Sequence, residues 1–491
     1  MAVNLQTLLQ AFDVPNVPDL NIEGIAADSR QVKPGFAFIA CRGELDNGER
    51  FIESAIENGA VVVLLASDSE IRECQLPLVY VPELRQNLGL IAAAFFNYPS
   101  RALSLVGITG TNGKTSCSHL IAQCLDEENQ RCGILGTMGY GFYQNLKPLV
   151  NTTPGPVELQ ANLAELQQQG AKAVAMEVSS HGIEQLRTRG CEFSLAVFTN
   201  LSRDHLDYHG TMEAYGAAKL KLFAEPGLQA AIINMDDDFA PQVVNAVAEG
   251  VDAVGVSLQA QQMADLKRFI NAQVLEKDLD GSLVEIKSSW GNATFKTHLL
   301  GEFNVTNLLL VLAVALELGA ELQQAVQHIA KLQAPAGRLE SFHQPGSPMV
   351  VVDYAHTPDA LQKVLQTLHA HTKGDIWVLF GCGGDRDAGK RPLMGAIAEQ
   401  YAEYVLVTDD NPRTESSAKI IEDILAGIKN QSKVRVIADR ETAIREVINS
   451  AAANDIVLIA GKGHEDYQII GKQVIAFSDR EVVTRVLQEV A

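Results

Sequence analysis

The run Gly107-Ile108-Thr109-Gly110-Thr111-Asn112-Gly113-Lys114-Thr115 carries the plainest chemistry in the chain. It follows the segment LSLVGIT and opens the helical segment SCSHLIAQCL. Glycines let successive backbone N–H groups turn toward an anion, and a helix N-terminus adds partial positive charge. Lys114 can reach the β- and γ-phosphates of a nucleotide, and the Thr115 hydroxyl can ligate Mg2+. Ile108 stands where the strict Walker spacing has glycine, so the run is a relative of that loop. A glycine-rich turn with an exposed lysine is the plain structural alternative. The strand before it, the helix after it and the G-K-T ending favour the phosphate loop.

Two further residues fit an ion that bridges phosphates. Glu177 ends the strand AVAMEV, and His205 lies in TNLSRDHLDYHG just after another strand. Both strand ends are expected on the phosphate-loop edge of one sheet, where a carboxylate and an imidazole can meet the metal. Either alone reads as structural; together beside a phosphate loop they read as functional. A GTPase would need N-K-x-D, and Asn234-Met235-Asp236-Asp237 lacks the lysine.

These residues must be positioned by alternating strands and helices. GFAFIAC, AVVVLLA and LPLVYVP are strand candidates in the first hundred residues, which end in the helical GLIAAAFFNYPS. LSLVGIT, KAVAMEV, LAVFTN and AAIIN follow, then a Pro/Gly-rich break at Gln333–Pro348, then MVVVD, IWVLF, YVLVTD and DIVLIAG. This is the pattern of α/β layering with parallel strands. The last four strands run into DYAHTPD, GCGGDRDAGK, DDNPRTE and GKGHED. Open parallel sheets gather such loops on one edge, where ligands bind, so Arg386, Arg413, Lys462, His464 and Glu465 are expected around one cleft.

With 491 residues, 47% hydrophobic and 20% charged, about three domains are expected. The boundaries read as 1–100, 101–335 and 336–491. The fold class is α/β, with a central P-loop-type ATPase domain on a mostly parallel sheet and a C-terminal Rossmann-like doubly wound domain. A net charge of −21 repels phosphodiester backbones and anionic membranes, which disfavours nucleic-acid partners. No basic and apolar leader is visible, and the longest apolar run, Leu308–Leu316, is about half of what a membrane span needs. Seven scattered cysteines without a C-x-x-C pair read as reduced thiols of a cytoplasmic protein.

GTNGKT, MEVSSHG, TNLSRDHLDYHG, GAAKLKLF, GEFNVTN, AGRLE and DYAHTPDAL occur here in the order found in the Mur ligase superfamily. The chain resembles those ATP-dependent, amide-forming enzymes of bacterial cell-wall precursor synthesis over essentially its whole length. DSRQVKPG, GGDRDAGKRPLMG, DDNPRTE and GKGHE narrow the resemblance. It is to members that join meso-2,6-diaminopimelate to the D-glutamate γ-carboxylate of UDP-N-acetylmuramoyl-L-alanyl-D-glutamate through an acyl phosphate, converting ATP to ADP and phosphate.

The resemblance implies that Gly110, Thr111, Asn112, Gly113, Lys114, Thr115 and Ser116 wrap the ATP phosphates. It implies that Asn304, Arg338 and Asp353 hold the adenine, γ-phosphate and ribose side, while His356 receives no role. Thr115 and Glu177 would lie near one Mg2+ and His205 near a second. Lys219 would be a carbamylated lysine (N6-carboxylysine) supplying an anionic oxygen to metal; read alone, it is a solvated helix residue. Lys114, Lys219, His205 and Arg338 would thus carry the catalysis.

For the nucleotide sugar and dipeptide the resemblance points to Ala27, Ser29, Glu44, Leu45, Asp46, Asn151, Thr152, Thr153, Ser179, Gln185 and Arg187. Arg187 equally reads as a surface residue of a helix IEQLRTRG. For the amino acid it points to Arg386, Asp410, Asn411, Pro412, Arg413, Gly461 and Glu465. An arginine fork at 413 can take the second carboxylate of diaminopimelate bidentately, and lysine would leave it unpaired. The expected partners are small molecules only, with no membrane insertion, and the chain is expected to act as a monomer. The rival readings are a lysine-adding or folylpolyglutamate-type ligase, and a P-loop regulator that ligates nothing.

Overall fold

The structure is a computed structural model describing residues 2–43, 47–128, 130–259 and 266–490. The chain packs as two compact units, one built chiefly from Met1–Gly255 with Ala313–Gly319, the other from Phe269–Leu312 with Ala320–Ala491.

The first unit contains two sheets. Strands Gly24–Ala26, Phe36–Ala40, Ala60–Ala66 and Leu78–Val81 lie parallel in that order. Side chains alternate across a strand. Ala37, Ile39, Val62, Leu64 and Val79 therefore join the core that holds Leu84, Leu88 and Ile91 of helix Leu84–Phe95. Phe38, Ala40, Val63 and Leu65 pack on the other face with Ile52 and Ala55. The helix begins five residues before the expected GLIAAAFFNYPS, and Asn97 and Tyr98 leave it with positive φ.

In the second sheet the neighbours run Asn145–Lys147, Gly139–Phe142, Cys132–Gly136, Ala173–Glu177, Ser104–Thr109, Leu195–Phe198 and Ala230–Asn234. The last five are parallel; the first two form an antiparallel extension. Its central strands are buried on both sides, as parallel sheets require, which is why they read as continuous apolar runs. Glu177 pairs with Ile108 and Phe198 with Thr109, so the phosphate loop, the Glu177 end and the segment leading to His205 leave the sheet at the same edge.

The second unit contains an antiparallel set, Arg268–Asp278, Gly281–Ser288 and Gly291–Thr297, which the strand reading above omits. Its larger sheet is ordered Glu340–Phe342, Met349–Asp353, Ile456–Ala460, Ile376–Phe380, Tyr404–Val407 and Val434–Val436, parallel apart from the first strand. Val351, Val378, Val405 and Leu458 face helices Pro358–His369, Lys390–Tyr401 and Ser417–Leu425. Val350, Trp377, Leu379 and Val457 face Arg440–Ser450 and Asp479–Val490. Helices on both faces make it doubly wound. The final strand inserts between the first two of the four expected ones, a topological switch point.

Candidate active site

The phosphate loop is framed from outside. Gly110 has φ 149°, and a Cβ there would lie 1.9 Å from Thr199 Oγ1, so only glycine fits. Thr111 N–H donates to the Asn200 carbonyl (2.8 Å), Asn112 N–H to Asn200 Oδ1 (3.0 Å) and Thr199 Oγ1 to the Asn112 carbonyl (2.6 Å). Helix Lys114–Glu127 starts behind Gly113, aiming its first-turn N–H groups along the loop. Lys114 Nζ folds back onto the carbonyls of Gly110 (2.8 Å) and Thr111 (3.0 Å). Ser116 is half-buried in the first turn.

Glu177 is buried and serves as a hub. It accepts from Thr115 Oγ1 (3.0 Å), Thr137 N–H (2.9 Å) and Thr137 Oγ1 (3.1 Å). Thr137 Oγ1 also lies 3.0 Å from Thr152 Oγ1. Thr153 Oγ1 donates to the Glu177 carbonyl (3.0 Å) and accepts Ser179 N–H (3.0 Å). Arg187 donates to the Thr153 carbonyl (2.7 Å) and Gln185 Oε1 (2.9 Å), and Gln185 reaches Tyr208 OH (3.4 Å). The expected helix IEQLRTRG does not form: the helix is Ser180–Glu184, and Leu186 at φ 56° turns the chain. Arg187 is half-buried and joins this network, while Asn151 stays exposed.

Lys219 is 1% exposed, against its reading alone as a solvated helix residue. Its Nζ donates to the Gly110 carbonyl (3.0 Å) and sits 4.3 Å from the centre of the Tyr215 ring, one helical turn earlier. Burial, and secondarily the nearby Lys114 cation, pull its pKa down to about 6. The amine is therefore mostly neutral at pH 7. The His205 ring stands 5.9 Å from Tyr215 and 5.0 Å from His181, with His209 5.5 Å from His181. Burial and the neighbouring histidines hold His181 below the usual range. Lys114 and Lys219 thus meet at the Gly110 carbonyl, with Glu177 bonded to Thr115 of the same loop and His205 beside Tyr215.

The donors suit Mg2+ rather than a protein-only metal site. Among the described residues no group of three or more His, Cys, Asp or Glu side chains closes on a common point. The Thr115 hydroxyl and Glu177 carboxylate, 3.0 Å apart at a helix N-terminus, are oxygen donors that could hold a hard cation, with phosphate and water supplying the other ligands.

In the N-terminal sheet exposed Ala27 and buried Ser29 follow the carboxyl end of Gly24–Ala26, with Asp28 capping the turn by accepting Arg30 N–H (2.9 Å). Glu44, Leu45 and Asp46 lie outside the described residues.

The second unit gathers the C-terminal loops as expected for one sheet edge. A Cβ built on Gly383 would meet Arg413 Nη1 at 2.8 Å, Arg386 Cγ at 3.6 Å and the Asn411 carbonyl at 3.9 Å, so the Arg413 guanidinium and the aliphatic stem of Arg386 lie beside one glycine. Lys462, fully buried, donates to Asn411 Oδ1 and Glu465 Oε2 (both 3.2 Å), and Asn411 Nδ2 donates to Glu465 Oε2 (3.0 Å). Asp410 is buried under Gly461, and burial raises its pKa. On the neighbouring strand end, Arg338 lies 4.8 Å from the Tyr354 ring, with its Nε buried and unpaired. Asp353 Oδ2 accepts Leu339 N–H and Oδ1 accepts Ala355 N–H (both 2.8 Å). His356 rests against Tyr354, at 4.7 Å. Asn304 is buried in helix Glu302–Glu317, its amide donating to the Leu300 carbonyl (2.9 Å).

Three family models match the sequence: "Mur ligase family, catalytic domain" over residues 21–96, "Mur ligase middle domain" over 108–315 and "Mur ligase, glutamate ligase domain" over 337–463. The UDP-N-acetylmuramoyl-L-alanyl-D-glutamate--2,6-diaminopimelate ligase of Vibrio vulnificus is 46% identical, with 99% of this chain and 98% of that protein covered. The chain belongs to the Mur ligase family. The Pseudomonas aeruginosa protein of the same description is 48% identical, covering 96% of each. A solved structure of such a ligase matches with TM-score 0.75 and 38% identity, over 100% of this chain and 99% of that one. This Mur ligase is accordingly an ATP-dependent ligase. Among its described residues no helix is long and apolar enough to cross a membrane.

Several further groups that the sequence motifs by themselves do not single out make contacts at this site of the Mur ligase. Thr137 donates twice to Glu177, Thr199 and Asn200 frame the loop, and Tyr215 lies beneath Lys219. Tyr215 had a signal, its i, i+4 spacing from Lys219 on one helix. Thr137 had none, because only the sheet register brings it beside Glu177.

Proposed function

We propose that this Mur ligase joins meso-2,6-diaminopimelate to the D-glutamate γ-carboxylate of UDP-N-acetylmuramoyl-L-alanyl-D-glutamate with ATP. The observation that supports the choice of amino acid is that the Arg413 guanidinium and the stem of Arg386 both lie beside Gly383, in a chain so like the diaminopimelate ligases. A carboxylate is a poor electrophile. Its oxygen attacks the γ-phosphorus, ADP leaves, and the acyl phosphate formed has a good leaving group. The amine nitrogen then attacks the acyl carbon, the C–O bond breaks with its electron pair on phosphate, and the nitrogen loses its proton.

The residues do this by position and charge. Backbone N–H groups of Gly110 to Ser116 hold the phosphates, and Lys114 swings from its own loop carbonyls to the β/γ oxygens. Arg338, unpaired at Nε, meets the γ-phosphate; Asn304 and Asp353 lie on the nucleoside side. Thr115, Glu177, His205 and Lys219 would hold two Mg2+ ions, which offset the repulsion between triphosphate and carboxylate. As an ammonium Lys219 would oppose such ions. As a neutral amine its nitrogen adds to CO2 and releases a proton, giving an anionic carbamate. Ala27, Ser29, Asn151, Thr152, Thr153, Ser179, Gln185 and Arg187 bind the UDP-muramoyl-dipeptide. Arg413 and Arg386 take carboxylates of the amino acid and Glu465 its distal ammonium, with Asp410, Asn411, Pro412 and Gly461 shaping the pocket. The enzyme acts on small molecules as a monomer in the bacterial cytoplasm. The domains are 1–100 for the nucleotide sugar, 101–335 for ATP and 336–491 for the amino acid.

Phosphate release from ATP, measured with the UDP-muramoyl-dipeptide and either diaminopimelate or lysine, tests this. We expect release to require the dipeptide and to prefer diaminopimelate by about tenfold or more, the worth of a charge-assisted pair. Preference for lysine would identify a lysine adder, and release indifferent to both substrates a regulator.

A further inference from the structure

The hairpin of strands Tyr467–Ile470 and Gln473–Ala476 has no fully buried residue, and Ile470, Val474 and Ile475 are exposed. An isolated two-stranded hairpin is marginal in water, so its partner elsewhere matters. That partner is the loop Asp410–Arg413. Gln468 Nε2 donates to the Asp410 carbonyl (2.8 Å), and Ile469 N–H donates to Asn411 Oδ1 (2.9 Å). Arg413 N–H donates to the Ile469 carbonyl (3.0 Å), and Gly471 N–H to the Arg413 carbonyl (2.8 Å). Four hydrogen bonds thus run from one short hairpin to three residues of one loop.

The loop needs this support. Arg413 has φ 49°, a left-handed conformation that a non-glycine residue keeps only where its surroundings over-determine it. Both peptide groups of Arg413 are tied to the hairpin, and its Nη1 donates to the Gly384 carbonyl (2.9 Å). The direction of the guanidinium fork follows from that backbone, and bidentate recognition tolerates little misdirection.

We propose that the hairpin Tyr467–Ala476 is a clasp that aims Arg413 at the second carboxylate of the incoming amino acid, with Gln468 as a positioning residue. This rests on the proposed function, since it takes Arg413 as the carboxylate-binding group. Gln468 acts by anchoring the Asp410 carbonyl and so the start of the loop. The coupling is reciprocal: a carboxylate bound by Arg413 tightens the clasp.

The test is a cycle of wild type, Gln468→Met, Arg413→Ala and the double variant, assayed with diaminopimelate and with lysine. Gln468→Met keeps the volume and removes the donor. It should raise KM for diaminopimelate about fivefold or more, leave KM for ATP unmoved and lower the diaminopimelate-to-lysine ratio of kcat/KM. In the Arg413→Ala background it should change that ratio no further. An unchanged ratio, equal losses for both amines, or a full additional loss in the Arg413→Ala background would overturn the clasp. Hydrogen exchange on the wild type gives a second readout free of folding defects. The amides of Arg413, Ile469 and Gly471 should slow with diaminopimelate and not with lysine; equal protection by both would overturn the proposal. A wild type lacking diaminopimelate-dependent phosphate release would instead defeat the functional reading on which the clasp stands.

Discussion

Lys219 shows how far burial can change a residue's chemistry. An ordinary surface lysine is fully charged at neutral pH, but here the interior and the Lys114 cation bring the pKa down to about 6. The sign of the linkage follows. Between about pH 6 and the usual lysine range the unfolded chain binds more protons than the folded one, so this group's contribution makes stability rise with pH across that window. In CO2-free buffer, thermal melting of the wild type should therefore gain on Lys219→Met as pH increases from 6 to about 9; a constant difference would refute the shift. With bicarbonate present, the same neutral amine should give a carbamate signal in 13C NMR that Lys219→Met lacks, and that variant should have lost ligation. A wild type without the signal would refute the modification.

At the scale of elements, the C-terminal sheet depends on a charge pair that no surface motif advertises. Arg440 and Asp479 are fully buried and joined bidentately at 2.7 and 2.8 Å, and Arg440 also donates to the Ala460 (3.0 Å) and Asp409 (3.2 Å) carbonyls. Those carbonyls immediately precede the loops that carry Gly461 and Asp410, so two helices and two strand ends meet at one guanidinium. Removing one partner of such a pair costs about 3–5 kcal/mol, whereas replacing both with apolar groups can be neutral. Urea unfolding should show Arg440→Met destabilised by that amount, and Arg440→Met/Asp479→Leu recovering most of it. A double variant no better than the single one would show that the carbonyl contacts, not the stranded Asp479 charge, dominate.

For the whole molecule, the charge of −21 means that, under the proposed function, anionic substrates would have to be met by local donors: loop amides, Lys114, Arg338, Arg386 and Arg413. Long polyanions need an extended basic track. In a gel-shift assay at about 150 mM salt, duplex DNA should not be retained; retention that falls steeply with added salt would refute this.

The catalytic strands and the phosphate loop were legible in the sequence because each is a local pattern: a β-branched run, a glycine-rich turn, a helix start. The antiparallel strands Arg268–Asp278, Gly281–Ser288 and Gly291–Thr297 are harder to read because each has few buried apolar residues and much of its length is polar and faces solvent. Residue types and spacing by themselves determined the phosphate loop, the α/β class and, through ordered motifs, the family. Only tertiary structure decided that Lys219 is buried against Tyr215, that Thr137 meets Glu177, and that Gln468 and Arg440 bond the carbonyls of Asp410 and Asp409. Those contacts join residues distant in the chain or depend on burial, and desolvation and sheet register are properties of the packed molecule that no local window of sequence contains.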